Sequence, residues 1–383
     1  MKRELALGVV AATLVIGAVH VAAGTNPNTL TFAVYGDSPY LDPSVPDRAA
    51  EFKATPAFID TINADPSIQA VVHVGDIHSG SEACTVAYDQ AIFQYWTAFQ
   101  RPLIYTPGDN EWSDCTKTKE LAGKDVYGHG PDFNGDPLIH LGFVRNIFFK
   151  NPGWTLGQHP MQVISQAIAP HDPRFPTDTQ FVENVIWEQS KTVFVTVNLP
   201  GGSNNDTDTW NGVAKNQAAE DAERAARTGA DVRWLDAAFK LAEADNAHSV
   251  VIIGQADMWD TTDAPSHQTN YEPIIYAMAS NAATYGKPVL YLNGDSHIYR
   301  SDNPLQQNST CSTETNPCSL DAWLQHPYYD VPNFHRIVVH GSTFPMEWLK
   351  LSIDPRAAWE NASTATSWGP FSWQRKTQSQ LTP

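Results

Sequence analysis

Short apolar runs alternate with stretches of helical spacing along most of the chain. Leu30–Tyr35, Ile68–Val74 and Leu103–Tyr105 are apolar and rich in β-branched residues, the pattern of strands. Between them, Arg48–Ala64 carries apolar residues at helical intervals (Ala49, Phe52, Phe58, Ile59, Ile62), and Tyr88–Phe99 reads as an aromatic-rich helix. The opening is therefore βαβαβ, which predicts a parallel sheet covered by helices and an α/β fold. Beyond it the pattern predicts helices over Leu138–Phe149, Trp234–Asp245 and Tyr271–Tyr285. It predicts strands at Val185–Glu188, Thr192–Asn198, Ser249–Ile253, Pro288–Leu292, Phe334–Val339 and Trp348–Ile353. Residues 113–180 and 201–230 read as insertion loops, Ser301–Asp321 as a polar loop, and the tail from Asn361 as loosely structured. There is no internal repeat and no clean linker, so residues 24–383 read as one domain with loop insertions.

The N-terminus has a different character. Lys2 and Arg3 precede an apolar stretch from Leu5 to Ala23, with Val21 and Ala23 in the small-residue pattern of a cleavage site. Residues 1–23 are read as a signal peptide that exports the chain. The alternative is an uncleaved anchor helix, near the lower length limit for spanning a bilayer. No other apolar run of that kind exists, so the mature chain is expected to have no transmembrane helix.

The 383 residues hold 24 Lys and Arg against 42 Asp and Glu, a net charge of −18, which argues against a nucleic-acid partner. An anionic substrate would have to be attracted by something other than the net field, and bound cations would serve. Four cysteines in an exported chain suggest disulfides. Cys311 and Cys318 share one turn-rich segment and are expected to pair locally, leaving Cys84 with Cys115. A zinc site of four thiolates is the competing reading, but no CxxC spacing exists.

The strongest chemical signal is a repeated local design. Four apolar runs end in Gly-Asp: FAVYGD at Asp37, VVHVGD at Asp76, LIYTPGD at Asp109 and VLYLNGD at Asp295, with His297 two residues further. In a parallel sheet the carboxyl ends of the strands share one edge, where sites form. Glycine lets the chain turn as it leaves the sheet, and aspartate then places a short carboxylate at that edge. Several carboxylates cannot all be ionised together unless a cation lies between them. Divalent ions are the obvious resolution. Helix capping or Asx turns would explain any one motif, but not all four at strand ends.

These residues resemble the calcineurin-like metallophosphoesterases, most closely a bacterial-type subgroup with GDxPY, HVGDIxSG, YTPGDNEW and GD(S/T)H segments. The resemblance covers nearly the whole mature chain. It implies an αββα sandwich with a two-metal site at the C-terminal strand ends. Asp37 would bind the first ion, Asp76 would bridge both, and Asp109 would hold the second. Asp295 and His297 stand where the family has the two histidines of GHxH, and Gln255 stands where another histidine ligand is common. The sequence departs from the family at Pro39, in place of the histidine of DxH, and at Asn110, in place of the catalytic histidine of GNH(D/E). The remaining set is rich in oxygen, which favours Mn, Mg, Fe or Ca over Zn.

The implied activity is hydrolysis of a small phosphate ester, monoester or diester, by a hydroxide held between two ions. Asn110 can donate a hydrogen bond to phosphate but cannot transfer a proton. His78 is the candidate substitute acid, Glu111 a candidate orienting group, and Arg300 a candidate phosphate contact. His73 reads as buried within its strand, Tyr40 as a packing residue, and Trp112 as either pocket wall or core. The competing function is a binding or scaffold protein that keeps the fold with a degraded site.

Overall fold

A computed structural model describes residues 29–41, 46–80, 82–116, 118–121, 124–127, 135–205, 210, 216–314, 318, 321–357 and 363–378. Residues 1–23, read from the sequence as a signal peptide, and Asn361 lie outside the described residues. Two large sheets face each other, and each carries helices on its outer side. The first has seven strands: β1 (Leu30–Tyr35), β2 (Ala70–His73) and β3 (Leu103–Tyr105) run parallel, followed on the other flank by β14 (Glu347–Ile353), β17 (Phe371–Thr377), β16 (Ser367–Trp368) and β15 (Ser363–Thr364). The second has eight strands, and its parallel centre is β8 (Thr192–Thr196), β9 (Ser249–Ile253), β10 (Val289–Asn293) and β13 (Phe334–Val338). That centre is flanked on one side by β7 (Val185–Gln189) and β6 (Ile164–Ser165) and on the other by β11 (Arg300–Asp302) and β12 (Ser312–Thr313), while β4 (Thr118–Leu121) and β5 (Lys124–Tyr127) pair separately.

Three apolar layers hold this stack. Between the sheets, Phe32 and Val34 of β1 meet Phe194, Val251, Ile253, Leu290 and Leu292, with the Phe32 and Phe194 rings edge-to-face at 5.2 Å. The opposite face of β1 presents Ala33 and Tyr35 to Phe58, Ile59 and Ile62 of helix Pro46–Asn63 and to the neighbouring helix Val86–Trp96. On the far side, Val193, Val195, Val250 and Ile252 pack under helices Gln217–Ala244 and Glu272–Tyr285. The central strands are thus buried on both faces, which is why their sequences are continuous apolar runs instead of alternating ones. The order helix, sheet, sheet, helix is the αββα sandwich implied by the resemblance.

Three expectations need correction. Ser301–Asp321 is not all loop, since Arg300–Asp302 and Ser312–Thr313 are strands at the edge of the second sheet. Residues 217–230 belong to the 28-residue helix Gln217–Ala244, so only the first part of segment 201–230 is loop. Its N-terminal half is rich in Ala, Glu and Arg, good helix formers whose polar faces hide the periodicity. The tail is not loose over residues 363–378: β17 pairs with β14 over seven residues, burying Phe371 and Trp373 on alternate positions. Cys84–Cys115 and Cys311–Cys318 are both disulfides. Among the described residues, no helix is long and apolar enough to cross a membrane.

Candidate functional site

The carboxyl ends of β1, β2 and β3 lie in register, Tyr35 beside His73 and His73 beside Tyr105, so the loops that follow carry Asp37, Asp76 and Asp109 to one edge. β9 and β10 deliver Gln255, Asp295 and His297 to the same edge from the other sheet. The two sets meet face to face. The Asp295 amide donates to Asp37 Oδ1 at 2.9 Å, and Gln255 Nε2 donates to Asp76 Oδ2 at 3.0 Å.

Gly75, with φ of 109°, makes the turn expected of it before Asp76, while two other glycines do a different job. At Gly108 a Cβ would lie 1.9 Å from Asp76 Oδ1, and at Gly294 one would lie 2.3 Å from Asp37 Oδ2. Both are needed for room beside a neighbouring carboxylate. Positive φ extends to the functional residues themselves, with 48° at Asp37, 60° at Asp76, 78° at Asp295 and 62° at His297. Aspartate tolerates that region better than most side chains.

Two groups of side chains could each hold an ion. One is Asp37, Asp76 and His297; the other is Asp76, Asp109 and Asp295; in each, the donor atoms lie within 4.8 Å of one another. Asp76 belongs to both. Burial pushes the Asp37 carboxyl up to about 8, with Asp109 and Glu111 adding repulsion. Burial also raises Asp76 well above the carboxylate range, reinforced by Asp109, Glu111, Asp37 and Asp295. Asp295 is raised by burial and by Asp109. Asp37 Oδ2 is buried without a hydrogen-bond partner. An uncompensated buried carboxylate oxygen among raised neighbours is the environment that a cation relieves, so the donor set fits divalent ions.

Around this cluster the expected residues have distinct placements. Asn110 donates through its backbone to Asp76 Oδ1 at 3.2 Å, and its Nδ2 lies 3.4 Å from the Tyr40 hydroxyl. Glu111 is fully buried; its Oε1 accepts from the Asp76 amide at 3.2 Å and from the Tyr105 hydroxyl at 2.5 Å. Gln255 uses both ends of its amide, since Oε1 accepts from the Gly201 amide at 2.6 Å. His73 is buried in its strand, accepting from the Gly75 amide and lying 2.7 Å from the Ser38 carbonyl, which ties the first two loops together. His78 is 1% exposed, with Nδ1 3.2 Å from the Ser79 carbonyl and its ring edge-on to Tyr88. Burial, with His140 nearby, lowers His78 to about 4. Arg300 is paired to Asp302, Nε to Oδ2 at 2.5 Å. Trp112 is core, packed with Leu141 and Trp210.

Three features escape a reading by motif. The Tyr40 hydroxyl reaches the cluster, 3.2 Å from His297 Nε2. Gly201 opens a turn in which Gly202, Ser203, Asn204 and Asn205 all have φ near 60°, and Gly201 itself has no room for a Cβ beside Asp109 and Asp295. Asp257 donates its amide to Asp295 Oδ2 at 2.8 Å. A polar cluster directly after a strand was the available signal for Gly201 and for Asp257.

No protein-family model and no curated protein matches the chain. Among solved structures, it is similar to a purple acid phosphatase from yellow lupin (Lupinus luteus) seeds, at 10% identity and a TM-score of 0.42, over 93% of this chain and 52% of that one. The chain thus spans about half the length of the lupin protein. It is also similar to a dimetal phosphatase from Danio rerio, at 12% identity and a TM-score of 0.40, over 91% of this chain and 99% of that one.

Proposed function

We propose that the chain is an exported hydrolase of phosphate esters, monoesters or diesters, that works with two divalent ions. Asp37, Asp76 and His297 would hold the first ion and Asp76, Asp109 and Asp295 the second. The observation that carries this is the sharing of Asp76 between two donor triads. Bound there, such ions would neutralise phosphoryl charge and make water a usable nucleophile near neutral pH. The first triad has one imidazole and the second only oxygen, so the second favours Mg, Mn or Ca, and the first also accepts Fe.

The remaining side chains are assigned by their contacts. Gln255 orients Asp76 and the Gly201 turn, both ends of its amide being engaged. Glu111 fixes the backbone that carries Asp76. Asn110 Nδ2 and the Tyr40 hydroxyl, both beside the cluster, are the donors for a phosphoryl oxygen. His78 and Arg300 are given structural roles, being held by Ser79 and Tyr88 and by Asp302. Export is supported by the two disulfides.

Asp76→Asn is the test. Elemental analysis after re-equilibration with Mn²⁺ should give two ions in the wild type and one or none in the variant. Cleavage of aryl phosphate mono- and diesters should fall by more than about 100-fold while the thermal melt stays cooperative. Unchanged turnover in Asp76→Asn would refute the proposal, as would a fully loaded wild type inert to both ester classes.

A further inference from the structure

Behind the carboxylate edge lies a second group of buried charges that the proposed chemistry does not use. Arg336, on β13, is fully buried and sits opposite Asp302 of the antiparallel strand β11 (Arg300–Asp302). Its Nε and Nη2 donate to the two oxygens of Asp302 at 2.9 and 3.0 Å, and its Nη1 donates to Asp257 Oδ1. Arg300 completes the set on Asp302. Two arginines thus balance two aspartates. Burial alone would raise Asp302, but the two guanidinium groups hold it at about 2. The Arg336 guanidinium also lies over the Trp259 ring at 5.5 Å.

This pairing reaches the candidate site through Asp257. The Asp257 amide holds Asp295 Oδ2 at 2.8 Å, while its own Oδ2 accepts from the Ser296 hydroxyl at 2.9 Å. Asp257 therefore joins the loop after β9 to the loop after β10, gripping Asp295 and its neighbour at two points. Arg336 fixes the other end of the same side chain. A planar fork held on both sides cannot rotate without breaking charged hydrogen bonds in a dry setting.

We propose that Asp257 and Arg336 are positioning residues for the second ion, acting directly on the Asp295 carboxylate and on the Asp37–His297 side only through the Asp295 amide and Ser296. This rests on the two-ion reading of the cluster. Ion sites need donor placement to within roughly 0.2 Å, so a loosened strut should register as lost affinity at one site.

The experiment is a calorimetric Mn²⁺ titration of ion-stripped protein, with Mn²⁺ magnetic resonance to follow coupling between the two ions. Asp257→Asn keeps the backbone donor but removes the charge that Arg336 grips; Arg336→Lys keeps the charge but removes the fork. Each is expected to weaken the second ion about 10–100-fold, abolish the coupled signal at low Mn²⁺, and weaken the first ion distinctly less. Should either variant fail to fold, Ser296→Ala removes one grip on Asp257 at small structural cost and should show the same selective loss, reduced in size. Two ions at wild-type affinity in the folded variants, or equal weakening of both ions, would overturn the inference while leaving the two-ion reading intact. A wild type that takes up fewer than two ions would overturn that reading, and this inference with it.

Discussion

Gly201→Ala isolates the second triad with a single methyl group. Gly201 is held from behind: its amide donates to Gln255 Oε1 at 2.6 Å, and the preceding Pro200 carbonyl accepts from the Tyr271 hydroxyl at 2.8 Å. A Cβ on this backbone would lie 2.7 Å from Asp295 Oδ1 and 2.9 Å from Asp109 Oδ1. Ordinary contact begins near 3.4 Å, so the two carboxylates must retreat by about 0.5–0.7 Å. In the ion-free chain the cost is overpacking, about 1–3 kcal/mol. For ion binding the displacement exceeds the roughly 0.2 Å tolerance of coordination distances. A misplacement approaching 1 Å is also worth about 100-fold in rate. The expected result is one ion per chain in place of two, the first site unaffected, and turnover down about 100-fold. Elemental analysis and a Mn²⁺ titration read the first quantity, and steady-state kinetics the second. A Gly201→Ala protein that binds two ions with unchanged affinity would show that Asp109 and Asp295 do not form a site together.

Two further predictions concern stability. In the ion-free chain Asp37 is raised by burial, with Asp109 and Glu111 adding to it, to about 8 from an ordinary 3.8, so the folded state keeps a proton that the unfolded state releases. The stability that this group contributes is then full below about pH 4 and lost as pH rises through about 8. The Tm of chelator-treated protein should fall between pH 5 and pH 8 and recover when Mn²⁺ is added; a Tm that climbs over that window contradicts the raised carboxylate. The Cys84–Cys115 bridge spans a sequence separation of 31 and encloses the Asp109–Glu111 segment, so Cys115→Ser should cost about 4 kcal/mol in a denaturant titration. A loss below about 1 kcal/mol would mean that the segment is held by its other contacts.

The parallel centre of each sheet is legible in the sequence because strands buried on both faces must be continuously apolar, and β3 and β9 have the bounds that pattern suggests. Asp37, Asp76, Asp109, Asp295 and His297 are legible for a related reason: each follows such a strand, and parallel strands bring their ends together. The contacts that complete the site are not local. Tyr40 meets His297 across 257 positions, and Gln255 meets Asp76 across 179. Nothing in the spacing of either pair announces the meeting, which depends on the two sheets packing face to face. The commitment of Arg300 to Asp302 is local but invisible for another reason: an arginine near a motif has the same letter whether its fork faces a substrate or a neighbouring carboxylate. The helical first half of Gln217–Ala244 is hidden by its polar surface, and β17 by its position after a polar tail segment.

The left-handed backbone at Asp37, Asp76, Asp295 and His297 gives the fold an uneven relation to selection. Each such residue holds a conformation that most L-amino acids resist by about 1–2 kcal/mol, and three of them add like charge to a buried edge. Glycine at these positions would relieve both burdens at once. A mutant library screened only for heat resistance, with ions withheld, would therefore drift towards loss of these residues and enrich sturdier chains with no centre. On the proposed two-ion reading, the same library screened in the presence of Mn²⁺ would keep them. For this fold the choice of buffer during selection decides whether evolution in the laboratory preserves chemistry or erodes it.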